Sequence, residues 1–294
     1  MRGRGESAIG KERGENSKFE IRKSNLSMRC SSTRLALGGR GVHFEGMIGR
    51  ILLFAALLAT CVAARAAGVP GATLQLIVAT APDWDADHGT MRLYERDPGG
   101  PWRMVSGPWP VLFGKNGLAW GRGVAGQDEH GLHKQEKDKR SPAGIFNLGD
   151  VYGYEAALPP GGAYAYHQVT DADAWVDDPR SPYYNQHVIV DPKNLPPWFS
   201  RERMKSGDFA YHWLIDIRHN ENPAIPGEGS AIFFHIRRGE TRPTAGCTSM
   251  AEADLVSIIR WLREEKHPEY VLLPEAVYAA KWNQWDLPAP VTAK

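Results

Sequence analysis

Apolar and polar positions along this chain fall into short blocks, most of them alternating with a period of two. Thr73–Thr80 (TLQLIVAT) alternates and is rich in β-branched residues, which predicts a strand. Met91–Glu95 reads as its neighbour, and Trp109–Phe113, Gln186–Val190, Tyr211–Ile217 and Ser230–His235 read as further strands. From Gly114 to Ser141 a Gly- and charge-rich passage shows no alternation, and a loop of that length is expected to be either functional or disordered. The period turns helical only after Ser249, where Leu255, Ile258, Ile259 and Leu262 recur on one helical face. Ser249-Met-Ala-Glu252 just ahead has the form of a capping box and predicts a helix starting at Ser249. Glu269–Leu273 returns to strand, and Pro274 opens a short helix from Glu275 to Trp282. The pattern predicts a mostly β (α+β) domain from about residue 70 onward, with one or two helices packed on it.

The first 67 residues do not fit that pattern. Residues 1–46 are polar and rich in Arg, Gly and Ser, which fits either a disordered basic extension or a mis-assigned start ahead of Met47. Met47–Arg50 then leads into the apolar run Ile51–Ala63, followed by Ala64-Arg-Ala-Ala67. A basic start, a short apolar core and an A-x-A site describe a secretory signal peptide over 47–67. The core is shorter than the ~20 residues of a membrane-spanning helix, which favours a cleaved signal over an uncleaved anchor. The chain is therefore expected to be exported, to the periplasm or the cell wall.

Composition changes the picture in two places. Lys and Arg number 35 against 34 Asp and Glu, so no basic field points to nucleic acid. Of the three cysteines, Cys30, Cys61 and Cys247, cleavage near Ala66 leaves only Cys247. A lone thiol in an exported chain forms no internal disulfide and is either reactive or buried and inert.

Cys247 lies two residues before the predicted helix cap, where the helix dipole would favour a thiolate. Backbone N–H groups at Gly246 and Thr248 are candidate donors to a developing oxyanion. His235, at the end of the apolar run SAIFFH, is the candidate base, placed by this reading at the sheet rim. Spacing alone leaves two readings open: a nucleophile with its base, or a rim histidine bonded to backbone beside a small apolar cysteine.

The stretch from His235 to Met250, FHIRRGETRPTAGCTSM with the Phe before it, resembles the signature of the L,D-transpeptidase catalytic domain family. KQEKDKRSPAGIFNLG (Lys134–Gly149) is similar to that family's Lys-x-Glu-x-Asp and Ser-Pro-Ala-Gly segment, and VDDPRSPYYNQHV (Val176–Val188) to a stretch of some members. The resemblance spans most of residues 72–275, leaving 276–294 as a C-terminal helix and tail. It implies a β-sandwich or mixed sheet and a cysteine enzyme acting on peptidoglycan stem peptides. Cys247 would attack the carbonyl before the terminal D-alanine, with His235 moving the proton. The acyl group would pass to an amine of a second stem or of a wall-attached protein, with neither metal nor organic cofactor. Hydrolysis on the same fold, by a carboxypeptidase or an amidase, is one alternative, and a wall-binding module with weak turnover is another.

Two positions depart from the family pattern. Many members carry His immediately before Gly-Cys and Arg two residues after the Cys, where this chain has Ala245 and Ser249. Arg237, Arg238 and Arg242 are near enough in sequence to supply the missing charge, and Arg237 and Arg242 are taken as candidate substrate contacts. Tyr184 and Asn185 are candidates for a substrate groove, with Asn185 bonding a peptide backbone. His130 and His133 have H-x-x-H spacing beside Asp128 and Glu129, but no third ligand is in sight and the segment reads as a loop, so no metal is expected.

Overall fold

The computed structural model describes residues 68–291, so the basic leader and the signal peptide expected over 47–67 lie outside the described residues. Twelve strands and three α-helices follow in order: β1 (Gln75–Ala81), β2 (His88–Glu95), β3 (Arg103–Leu112), β4 (Leu118–Trp120), β5 (Ser141–Gly153), β6 (Tyr166–Gln168), β7 (Asp173–Val176), β8 (Gln186–Ile189), α1 (Phe199–Glu202), β9 (Trp213–Ile217), β10 (Phe233–Ile236), β11 (Thr248–Met250), α2 (Glu252–Trp261), β12 (Glu269–Pro274) and α3 (Glu275–Lys281). The mostly β architecture expected from the alternation is what the chain adopts.

Neighbouring strands run β12-β1-β2-β3-β11-β10-β9-β5. The long β5 then closes this ladder on itself. Its residues Gly144–Asn147 pair antiparallel with Leu272–Glu269 of β12, and past a register shift Val151–Gly153 pair with Ile215–Trp213 of β9. The main core gathers Leu76, Met91, Phe146, Ile215, Phe234 and Tyr270, with Leu255, Ile258 and Ile259 of α2 added from outside, as their helical spacing predicted. The core also extends past residue 275: Trp285 is buried, and its carbonyl accepts from Val69 N–H.

Two expectations need correction. Ser249 does not cap a helix. It sits in β11, opposite His235 of β10 on one side and Leu112 of β3 on the other, and α2 begins after Ala251 with no side-chain cap. Sheet pairing on both flanks outweighs a cap worth about 1 kcal/mol. The passage from Gly114 to Ser141, expected to be loop throughout, contains β4 and ends at the first residue of β5. Gly144 has φ +142°, and a Cβ there would stand 2.3 Å from Ala125 O, so glycine admits a close crossing inside the strand.

β10 separates two packing regions. Ile232, Phe234 and Ile236 enter the main core, while Phe233 joins Tyr152, Trp175, Met204 and Leu214 in a second cluster against which Cys247 packs. Strand alternation puts His235 on the same face as Phe233. The antiparallel hairpin β7–β8 covers that second face, with Trp175 edge-on to Phe233 at 4.8 Å between ring centroids.

Candidate active site

β11 runs parallel to β10, with Thr248 opposite Phe234, so the residue before β11 arrives beside the start of β10. There the sulfur of Cys247 accepts from Phe233 N–H at 3.4 Å and donates to Ala231 O at 3.5 Å. Two hydroxyls hold its carbonyl: Ser141 Oγ donates at 3.1 Å and Thr244 Oγ1 at 2.6 Å. Thr244 Oγ1 also accepts from Gly246 N–H at 3.0 Å, and Ser141 Oγ from Gly114 N–H at 2.9 Å. The loop before the thiol is thus fixed from both sides. Gly246 has φ +148°, and a Cβ on it would lie 3.1 Å from Arg140 O and 3.3 Å from the Ile232 side chain.

This arrangement revises the oxyanion expectation. The Gly246 N–H is already committed to Thr244, so it is not a free donor. Thr248 is a ladder residue of β11, with its hydroxyl hydrogen-bonded to Tyr270 Oη at 2.9 Å.

His235 is 3% exposed and lies beneath Tyr211, whose ring stands edge-on at 5.7 Å. The rim position expected for it is therefore roofed over by the short 3-10 turn Phe209–Tyr211. Its Nδ1 lies 2.9 Å from Ile236 O. A carbonyl only accepts, so the neutral ring carries its proton on Nδ1 and leaves the Nε2 lone pair free. Burial holds the His235 pKa down to about 4; the Ile236 contact pulls upward, and the Arg238 charge lowers it further.

The thiol is partly exposed, and burial of its sulfur pushes its pKa up. Phe233 N–H, Lys134 and Arg238 pull the other way. Those groups replace the helix dipole in the expected electrostatics, because the three residues of β11 separate Cys247 from α2. The resting pair is a neutral thiol and a neutral imidazole, so the proton must leave the sulfur as attack proceeds.

Among the three candidate arginines, Arg238 is the one whose charge, after that of Lys134, lowers the thiol pKa. Its guanidinium donates to Asp208 Oδ2 at 3.0 and 2.5 Å and lies 4.9 Å over the Tyr211 ring. Arg237 instead pairs with Glu240 at 2.6 Å, and Arg242 is exposed on the loop after β10. Nothing in the sequence separates these three arginines. Their ranking follows from which way β10 aims its last residues and from Asp208, some thirty positions earlier. Ser249 is 1% exposed with its hydroxyl unpaired, so an arginine in its place would be buried between strands.

The upstream motif proves to be the scaffold of the same loop. Lys134 Nζ pairs with Asp138 at 2.5 Å, and Asp138 also accepts from the N–H groups of Gln135 and Arg140. Glu136 accepts from Tyr184 Oη at 2.5 Å and from Ser230 Oγ at 2.7 Å. Tyr184 therefore has a structural partner. Asn185 does too: its amide donates to His219 O and Asn220 O and accepts from Trp175 Nε1 and Ala231 N–H. With all of these bonds made at 4% exposure, Asn185 ties the β7–β8 hairpin to the strand beside the thiol and has nothing left for a substrate backbone. His130 and His133 build no ligand set: a ring nitrogen of His133 contacts Glu129 O, and the His130 carbonyl accepts from Trp120 Nε1.

A search of curated proteins found no match, and a search of solved structures found none. The family comparison did match, over residues 85–271, a span that contains the thiol loop, the β10 histidine and the whole upstream scaffold. The chain belongs to the YkuD family, the L,D-transpeptidase catalytic domain.

Proposed function

We propose that this chain is an exported L,D-transpeptidase that transfers the acyl group of a peptidoglycan tetrapeptide stem to an amine. The observation that carries the reading is the parallel pairing of β10 with β11, which brings the Cys247 thiol beside the strand that bears His235. Sγ attacks the carbonyl carbon of the bond to the terminal D-alanine, and its proton passes to Nε2 of His235. The tetrahedral intermediate collapses with loss of D-alanine, whose amine takes that proton, and a thioester remains. The acceptor amine then attacks the thioester, gives its proton to His235, and the sulfur leaves and is reprotonated. Phe233 N–H and the Arg238 and Lys134 charges support the sulfur whenever it carries negative charge.

Incubating the purified protein and its Cys247→Ala variant with a disaccharide-tetrapeptide, and following masses, tests this. A cross-linked dimer from the wild type alone is the expected result. Tripeptide without dimer would replace transfer by hydrolysis, and unchanged substrate would favour a wall-binding module. A carbapenem adduct on Cys247 is expected as well, because a strained β-lactam acylates an activated thiol. Export follows from the signal-like segment at 47–67, and a mature chain beginning well before Ala64 would overturn it.

A further inference from the structure

Three strands outside the thiol loop bring a second set of reactive side chains together. His167 lies on β6, Asp173 opens β7 and His187 lies on β8. Nε2 of His167 and Nε2 of His187 each stand 2.6 Å from the same oxygen, Asp173 Oδ1. All three atoms lie within 4.8 Å of one another. The second carboxylate oxygen is held apart from them: Oδ2 accepts from Thr170 N–H at 2.7 Å and from Thr170 Oγ1 at 2.5 Å. That clamp fixes the direction in which Oδ1 points, as partners behind a metal ligand do.

We propose that His167, Asp173 and His187 bind a divalent transition-metal ion. Two imidazoles and one carboxylate suit zinc and its first-row neighbours, which prefer nitrogen with some oxygen. With Oδ2 taken by Thr170, both rings converge on Oδ1, each through Nε2, which is the convergence that a shared ion requires. Ligands about 2.0–2.1 Å from a tetrahedral centre stand roughly 3.3 Å apart. Binding therefore parts each Nε2 from Oδ1 by about 0.7 Å, and each Nε2 gives up the proton that it donates to Oδ1, so that the bound neutral ring carries its proton on Nδ1. Asp173 is 1% exposed and the His187 side chain 7%, while the His167 side chain is 30% exposed and provides the way in for the ion and for a water as fourth ligand.

The position gives the ion a task. β6 pairs with β5 of the main ladder, whereas β7 and β8 form the separate hairpin, so the ion would fasten one to the other. The hairpin in turn carries Trp175 against Phe233, and Asn185, just ahead of β8, bonds Ala231 N–H. Phe233 N–H and Ala231 O are the two backbone groups that touch the thiol. The ion is thus a positioning element for the thiol cradle, one step removed from the chemistry.

The test uses tag-free, chelator-treated protein in the Cys247→Ala background, so that the thiol takes no metal. Calorimetric titration with Zn2+ should give one equivalent bound, with a rise of several degrees in the thermal midpoint. His167→Gln and His187→Gln should each weaken uptake by at least about tenfold, by loss of a ligand, whereas His133→Ala should leave it unchanged. Independently of any substitution in the cluster, Zn2+ should protect His167 from diethyl pyrocarbonate, read by peptide mass. Absence of stoichiometric uptake, uptake that survives both glutamine variants, or unprotected His167 at saturating Zn2+ would each overturn the proposal and leave the cluster a hydrogen-bonded staple.

Discussion

The two faces of β10 differ in what they can tolerate. The face with Ile232, Phe234 and Ile236 meets only the main core, closed by the returning β5 and by α2. The face with Phe233 and His235 meets a mixed layer: the Cys247 thiol, Tyr211, the Arg238–Asp208 pair and a hairpin anchored by hydrogen bonds. The first face is uniform, so its energetics are those of area and fit. The second combines apolar contact with groups whose charge state matters, so a change there acts on reactivity before it acts on stability. One four-residue strand, buried on both sides, is the partition between the two.

The largest effects should separate the faces completely. Cys247→Ala removes one sulfur from a partly exposed position and should abolish acylation while moving stability by under ~1 kcal/mol. Phe234→Ala empties a fully buried site packed edge-on against Tyr270 and should cost about 3–5 kcal/mol, read by denaturant unfolding. Carbapenem acylation by whatever fraction of Phe234→Ala remains folded should proceed at close to the wild-type rate. A Phe234→Ala protein that is stable but unreactive would break the comparison.

His235 links the faces through pH. Its folded pKa is about 4, below the ordinary histidine value of about 6.5. Between those values the unfolded chain takes up a proton that the folded chain refuses, so this group lowers stability as pH falls from about 6.5 to about 4. The full contribution is on the order of 3 kcal/mol. His219, held down to about 3 by burial, acts in the same direction, so the test is the difference between wild type and His235→Gln across that window. The difference should shift in favour of the variant as pH falls. As a base, His235 should stay competent well below pH 6.5, with the acid limb of thiol acylation near 4; a limb at 6.5 would mean that the ring is solvated during the reaction.

How much of this was legible in sequence follows the same partition. The core face declared itself: SAIFFH is apolar without alternation, as a strand buried on both sides must be, and the α2 stripe matched its burial. The thiol and the histidine stood out by residue type. What stayed hidden depended on neighbours distant in the chain. β5 was not predicted: it contains Pro142 and Gly144, and the glycine is explained only by the close crossing of Ala125. β11 was masked by a cap-like Ser-x-x-Glu that only the flanking strands β3 and β10 override. Asn185 looked like a groove residue, because nothing local reveals that His219, Asn220 and Ala231 occupy its amide.

The arginines give the finest test of the reactive face. Arg238 lies near the thiol and lowers its pKa, at 26% side-chain exposure and with Asp208 as partner. Arg238→Met keeps much of the packing on Tyr211 and removes the charge, so the thiolate loses support while the ring keeps its cover. Iodoacetamide labelling of Cys247 at pH 8 should slow roughly threefold to tenfold, and raising the salt concentration should narrow the gap between wild type and variant. Arg242→Ala, on the exposed loop, should change labelling by less than about twofold and stability by no more than about 0.5 kcal/mol. If the two substitutions slow labelling equally, the charge acts as a diffuse field over the loop. The pair with Asp208 would then hold Tyr211 in place over His235, and its effect should appear in the His235 pH limb instead.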